Sequence, residues 1–263
     1  MPGELVFVGL GLHDEKGISL KGLEETKTAD SAFVELYTSL LPEFSLKRLE
    51  SLAGRQIQTV TRRDLEESNG VIVLSAAERG KAVLLVPGDP FIATTHMALR
   101  IEAQKRRIKT RIVHGASILS AIIGISGLHN YKFGKTVTVP FAENSSETPY
   151  NVIHQNKKLG LHTLCLLDLV AEKKLYLSVK EALNLLLQIE KKKRKHVVTL
   201  NTLAVGVARA GSDAPMLKAD YVKNLLNWDF GEPPHTIIFP GELHFTEVEA
   251  LVAFADAPMK LKR

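Results

Sequence analysis

The sequence holds a single cysteine in 263 residues, Cys165, so no disulfide can close within the chain. It lies in the apolar run 163–167, where a buried small hydrophobe is expected and a nucleophile is not. Long hydrophobic runs are also missing. The longest uncharged stretch, residues 115–128, falls short of the about 20 residues that cross a bilayer. The apolar start at residues 5–9 carries neither a basic flank nor a cleavage site of a secretory leader. These absences predict a soluble, cytoplasmic protein with no membrane partner. Among the nine histidines there is no His-Glu-x-x-His and there is no cysteine pair, so no metal is expected. Neither a Gly-x-Ser-x-Gly elbow nor a Walker loop occurs. No catalytic side chain is assigned.

A strong charge of one sign is absent too. The net charge is +5, less than a dedicated nucleic-acid binder carries. The basic residues nonetheless gather in two places: Lys105, Arg106, Arg107, Lys109 and Arg111, and then Lys191, Lys192, Lys193, Arg194 and Lys195. Each group ends a helical pattern, where cations complement the helix dipole, so solvated helix ends are expected and no direct nucleic-acid contact.

What is present is an alternation of strand-like and helix-like runs. Strands are predicted over 5–9, 32–35, 82–86, 111–113, 136–139, 163–169, 204–208 and 236–239. Helices are predicted over 20–29, 46–52, 63–79, 94–107, 118–125, 150–158, 179–191 and 245–254. The class is α/β with largely parallel sheets. The spacing changes after His114-Gly115-Ala116-Ser117, which sets domains at 1–114 and 115–263. No flexible tether separates them, so a shared cleft is expected.

Several strand-end turns are rich in small residues. Val8-Gly9-Leu10-Gly11-Leu12 lets the backbone pass close to a ligand. It resembles a dinucleotide-binding turn, and Glu35 offers a ribose-binding carboxylate, but Asp14 stands where the third glycine belongs. In Gly88-Asp89-Pro90-Phe91, Asp89 and Pro90 suit a helix start, with Asp89 as cap. Gly88 before them and Ala93-Thr94-Thr95 after them leave room at a strand's C-terminal end. Gly115-Ala116-Ser117-Ile118, Ala208-Arg209-Ala210-Gly211 and Gly231-Glu232-Pro233-Pro234-His235 complete the set. His235, just before a strand, reads first as a structural histidine. Glycine-rich turns without a nucleophile suit positional catalysis around a bound reactive cofactor.

In order, these turns resemble the tetrapyrrole-methylase superfamily. Its cobalamin and sirohaem methyltransferases usually carry Gly-Pro-Gly-Asp after the first strand, whereas this chain has Gly11-Leu12-His13-Asp14. That departure is similar to the diphthine synthase branch, as are Glu35-Leu36-Tyr37-Thr38-Ser39, Ala93-Thr94-Thr95-His96, Tyr131-Lys132-Phe133-Gly134 and Gly160-Leu161-His162-Thr163-Leu164. The resemblance covers essentially the whole chain. It implies a homodimer of two-domain α/β subunits with S-adenosylmethionine in the cleft between domains, released as S-adenosylhomocysteine. The cofactor contacts it implies are Leu12, Asp89, Ile92, Ser117, Ile118, Leu167, Ala210 and His235. The implied substrate is the amine of a 3-amino-3-carboxypropyl group on a histidine of translation elongation factor 2. The length, without a longer insertion before the Ala208-Arg209 stretch, points to the archaeal members. A tetrapyrrole methyltransferase, a nicotinamide-dependent oxidoreductase and a non-catalytic module binding through the basic clusters are the competing readings.

Overall fold

A computed structural model describes residues 3–262. The chain divides between Ser120 and Ala121 into two compact units. The first runs β1 (Glu4–Gly9), α1 (Leu20–Lys27), β2 (Ser31–Glu35), α2 (Leu46–Ala53), β3 (Gln58–Val60), α3 (Val71–Arg79), β4 (Lys81–Val86), α4 (Met97–Lys105) and β5 (Lys109–Val113). Its sheet has the order β3-β2-β4-β1-β5, and every pairing is parallel. Alternate residues feed separate cores on the two faces. Leu5, Phe7, Leu84 and Val86 pack on one side, and Val6, Val8, Val83 and Leu85 on the other. This is why the strands read as unbroken apolar runs. Because all strands run the same way, every strand-end turn lies on one edge.

Local chemistry fixes the helix starts. Ser19 Oγ accepts the Gly22 N–H at 3.0 Å and begins α1. The single helix expected over 63–79 is two pieces. Residues 63–67 form a wide turn in which Ser68 N–H donates to Arg63 O at 2.8 Å, and Asn69 and Gly70 then take positive φ before α3 starts. The helix expected from residue 94 starts only at Met97. Asp89 therefore does not cap it. Its Oδ1 accepts the Phe91 N–H at 3.1 Å and organises a separate turn before the helix.

α5 (Ile118–Ser126) spans the division. The second unit continues through β6 (Val137–Val139), α6 (Thr148–Lys158), β7 (Thr163–Leu167), a small hairpin of β8 (Leu169–Val170) and β9 (Leu175–Tyr176), and α7 (Val179–Lys193). It ends with β10 (Leu203–Ala208), β11 (Met216–Tyr221), α8 (Val222–Leu225), β12 (His235–Phe239) and α9 (Phe245–Ala255). A complete capping box between Ser178 and Glu181 begins α7. The sheet order is β11-β10-β12-β7-β6, and here the expectation of largely parallel pairing fails. Only β6 and β7 are parallel; β7, β12, β10 and β11 pair antiparallel in succession. Alternating apolar runs fit either pairing, and β11, carrying Lys218 and Asp220, was not apparent as a strand. Cys165 is fully buried in the core with Tyr150, Leu183, Leu186 and Ile237, and burial pushes its thiol pKa up. No described helix is long and apolar enough to cross a membrane.

Candidate active site

Three motifs that lie far apart in sequence meet at the C-terminal edge of the first sheet. Gly9 ends β1, Gly88 follows β4, and Gly115 follows β5. The approach is so close that a Cβ on Gly9 would lie 2.5 Å from both Gly115 N and Gly88 O, and one on Gly115 would lie 2.4 Å from Gly88 O. Only glycine allows this junction of backbones. Gly11 and Gly88 exchange two backbone hydrogen bonds, at 3.1 and 2.8 Å, and both take positive φ. Beside Gly88 the space is open, for a Cβ there would meet nothing closer than Ala116 O at 3.9 Å.

Around this junction stand five of the residues singled out from the sequence. Leu12 and Ile92 are half-buried, and Ile92 N–H donates to Asp89 O at 3.2 Å. Ser117 is buried where the chain turns toward α5, its carbonyl accepting from Ser120 Oγ at 2.9 Å, and Ile118 is the first residue of that helix. Asp89 is 7% exposed, and its Oδ2 lies 2.7 Å from Nδ1 of His114. His114 was missed in the sequence. Its signal is its place between the end of β5 and Gly115, matching the position of the acidic turn after β4.

Beneath the same edge lies a pair whose members appeared only as parts of motifs. Glu35, fully buried at the end of β2, has Nε2 of the buried His96 3.2 Å from its Oε1. Oε1 also accepts from Thr38 Oγ1 at 2.5 Å, and Oε2 accepts the N–H groups of Tyr37 and Thr38 at 3.0 and 3.1 Å. With both oxygens engaged and no exposure, Glu35 is closed to a ribose. This removes the carboxylate on which the nicotinamide reading depended.

In the second unit the strand register gathers the remaining three. Ala208 at the end of β10 pairs with His235 at the start of β12, and Thr236 pairs with Leu166, so His235 stands across from Leu167 at the end of β7. Arg209 N–H donates to Pro234 O at 2.9 Å and keeps the Ala210 turn against the start of β12. Leu167, Ala210 and His235 thus share one end of that sheet. His235 Nε2 lies 3.0 Å from Gly231 O, which can only accept, so Nε2 carries the proton and Nδ1 is an acceptor. That Nδ1 is buried and has no partner. Burial, and then the charge of Arg209, lowers the His235 pKa, so the ring is neutral at physiological pH.

The sequence from residue 4 to 214 matches the family model of tetrapyrrole (corrin/porphyrin) methylases. A diphthine synthase of Methanosarcina barkeri is 45% identical over 262 residues, 97% of each chain. Another, from Methanococcoides burtonii, is 46% identical over 261 residues, again 97% of each. The chain belongs to the diphthine synthase family. A solved crystal structure of a diphthine synthase superposes with a TM-score of 0.89 at 44% identity and covers 98% of both chains. Within a diphthine synthase the departure at Gly11-Leu12-His13-Asp14 has a simple geometry. His13 takes φ +79°, the left-handed conformation that a glycine adopts without strain, at the place where the cobalamin and sirohaem enzymes carry that glycine. Beyond it His13 O accepts the Glu43 N–H at 3.1 Å.

Proposed function

We propose that this chain is an S-adenosylmethionine-dependent methyltransferase. It N-methylates the amine of the 3-amino-3-carboxypropyl group on a histidine of translation elongation factor 2, a step in diphthamide biosynthesis. The observation that carries this reading is the 45% identity to a diphthine synthase over 97% of both chains. The proposed cofactor contacts are Leu12, Asp89, Ile92, Ser117 and Ile118 from the first unit, with Leu167, Ala210 and His235 from the second.

The residues present suit such a ligand. His235 Nδ1 is a buried acceptor that lacks a donor, and an adenine amine or a ribose hydroxyl is such a donor. The open space beside Gly88 admits a ligand to the bare backbone, and the nearly buried Asp89 provides a negative charge for a cationic group. When bound, S-adenosylmethionine supplies a methyl carbon attached to a positively charged sulfur. The protein's part is to orient the acceptor amine in line with that carbon, an arrangement that contributes a large share of the barrier reduction. The amine reacts only when neutral, and partial desolvation by the surrounding apolar side chains favours that form. His235, neutral with Nδ1 free, can hold a ligand donor without adding charge. Protons released in successive transfers pass to water. We place the protein in the cytoplasm as a homodimer, as the family resemblance implies.

The test is transfer from S-adenosylmethionine to elongation factor 2 that bears the unmethylated side chain, followed by mass spectrometry of the modified peptide. Methyl increments on that histidine are expected. Absence of transfer, with methylation of a corrinoid or sirohaem precursor instead, would overturn the substrate and retain the cofactor.

A further inference from the structure

The two basic runs, alike in sequence, differ in structure. In the first unit four of the five cations are paired among the described residues, Arg107 being the exception. Lys105 and Arg106 pair with Glu102 at 3.7 and 3.1 Å, Lys109 with Glu4 at 3.7 Å, and Arg111 with Glu4 and Glu25 at 2.8 and 2.6 Å.

The second unit is arranged otherwise. The C-terminal end of α7 lies against α6, where Tyr150 Oη donates to Glu190 Oε2 at 2.8 Å and Lys193 pairs with Glu147 at 2.5 Å. The segment that leaves α7 then runs along α6. Lys157, Lys158, Lys191, Lys192, Arg194 and Lys195 are all exposed there, and among the described residues none of them has a carboxylate within salt-bridge distance. Glu190, the acid nearest in sequence to that run, turns inward and accepts the N–H groups of His196, Val197 and Val198 at 2.8, 2.7 and 3.0 Å. Burial, and then the charges of Lys158, Lys195 and Lys157, lower the His154 pKa, with Glu190 opposing them.

A cavity of about 360 Å³ adjoins this patch. Lys157, Thr163, His196, Thr199, Asn201 and Thr202 supply its polar lining, the rest of the lining is apolar or glycine, and no Asp or Glu contributes to it. It sits where β7 and β10 begin and β12 ends, the opposite edge of the sheet from Leu167, Ala210 and His235. On its polar side a cation and an amide, without an acid, suit an oxyanion.

We propose that this face docks double-helical RNA through its phosphodiester backbone, with the cavity receiving one phosphate and the ribose hydroxyl beside it. Lysine dominates the patch, and lysine is depleted from protein–protein interfaces but makes phosphate contacts readily. The patch offers no exposed Phe, Tyr or Trp on which an unpaired base could stack, so a single strand gains little there. The Thr199 and Thr202 hydroxyls bond each other and the local backbone, which leaves the Asn201 amide, able both to donate and to accept, as a 2′-hydroxyl requires.

Fluorescence anisotropy with the full chain and a labelled RNA duplex tests this. If five or six of the unpaired cations engage phosphates, the logarithm of affinity should fall against the logarithm of salt with a slope of about −5. The quadruple variant Lys191→Gln, Lys192→Gln, Arg194→Gln, Lys195→Gln should bind at least about tenfold more weakly, with the slope reduced by about 3 to 4. Arginine or lysine exchanged for one another at the same four positions should retain binding, which separates charge from folding. Lys105→Gln with Lys109→Gln, in the neutralised run, should change nothing. A DNA duplex of the same sequence should bind several-fold more weakly, and Asn201→Ala should narrow that gap. No binding at low salt, undiminished binding by the quadruple variant, equal affinity for DNA, or equal affinity for polyglutamate would each overturn the proposal.

Discussion

Replacing Asp89 by Asn exchanges one oxygen for an NH2 group and removes a negative charge that is 7% exposed. The two oxygens have different duties, so the cost divides. The hydrogen bond from Phe91 N–H to Oδ1 survives, because the amide oxygen accepts equally well. The contact with His114 is lost or reversed, but that side chain is 73% exposed. A pair so open to water contributes at most about 1 kcal/mol, which moves the melting temperature by about 2–4 °C. Ligand affinity should respond far more. A carboxylate about 5 Å from a cationic group, at an effective dielectric constant of about 20, gains about 3 kcal/mol. Its loss weakens binding by up to about a hundredfold. Calorimetric titration of both proteins with S-adenosylmethionine and S-adenosylhomocysteine measures this directly. A deficit confined to the first ligand places the sulfonium near Asp89, and an equal deficit places the ammonium there. Unchanged affinity for both, or a collapse of the melting temperature, would refute the assignment of Asp89 to the cofactor.

The glycine junction predicts two contrasting variants. Gly9→Ala forces a methyl group to 2.5 Å from two backbone atoms and should cost about 3 kcal/mol in denaturant titration. Gly88→Ala meets open space and pays only for positive φ, about 1 kcal/mol, while obstructing the ligand, so equal destabilisation by the two would contradict the geometry. His235→Ala removes a lone acceptor. The cofactor KM should rise about tenfold with the shape of kcat against pH unchanged, and a lost limb of that profile would make His235 the base. The buried pair His162 and Glu247 predicts acid lability. His162 Nδ1 accepts from Gly241 N–H at 2.9 Å, so Nε2 donates to Glu247 at 2.8 Å and the ring is neutral. Burial holds its pKa below the usual 6.5, so below that pH the unfolded chain takes a proton that the folded chain refuses. Stability should therefore decline as pH falls from 6.5. It should decline again below 4.5, since hydrogen bonds from Lys132, the His129 and His244 N–H groups and His162 hold Glu247 at about 2 against its burial. In thermal melts across pH, His162→Gln should flatten the first decline, and an unaltered slope would exclude His162 as its source.

The first sheet could be read almost directly from the sequence. β1 and β4 are apolar throughout because both their faces are covered, and each ends in a glycine turn. The second sheet could not, because pairing direction is decided by neighbours that a single strand does not announce. β11 escaped notice for a related reason: its Lys218 is held by Asp256 at 3.4 Å and lies over the ring of Trp228, so a polar residue serves in a strand. The turns were found by their small residues and their place after strands, and the contact residues within them only through the family resemblance. His114 and the Glu35–His96 pair were not assigned these roles, because their partners lie 25 and 61 positions away. Distance in the chain also hid the contrast between the two basic runs, since the acids that neutralise the first come from β1 and α1 as well as from α4.

The meeting of Gly9, Gly88 and Gly115 presents peptide groups where most proteins would present side chains. Peptide groups are common to every residue, so point substitution cannot alter their chemistry, and the crowding at two of the three positions forbids even a methyl. Whatever the junction holds is inherited along with the architecture. Variation is left to the surrounding loops, where a new acceptor can be accommodated while the platform stays as it was. A site built in this way can keep its ligand while the surfaces around it change.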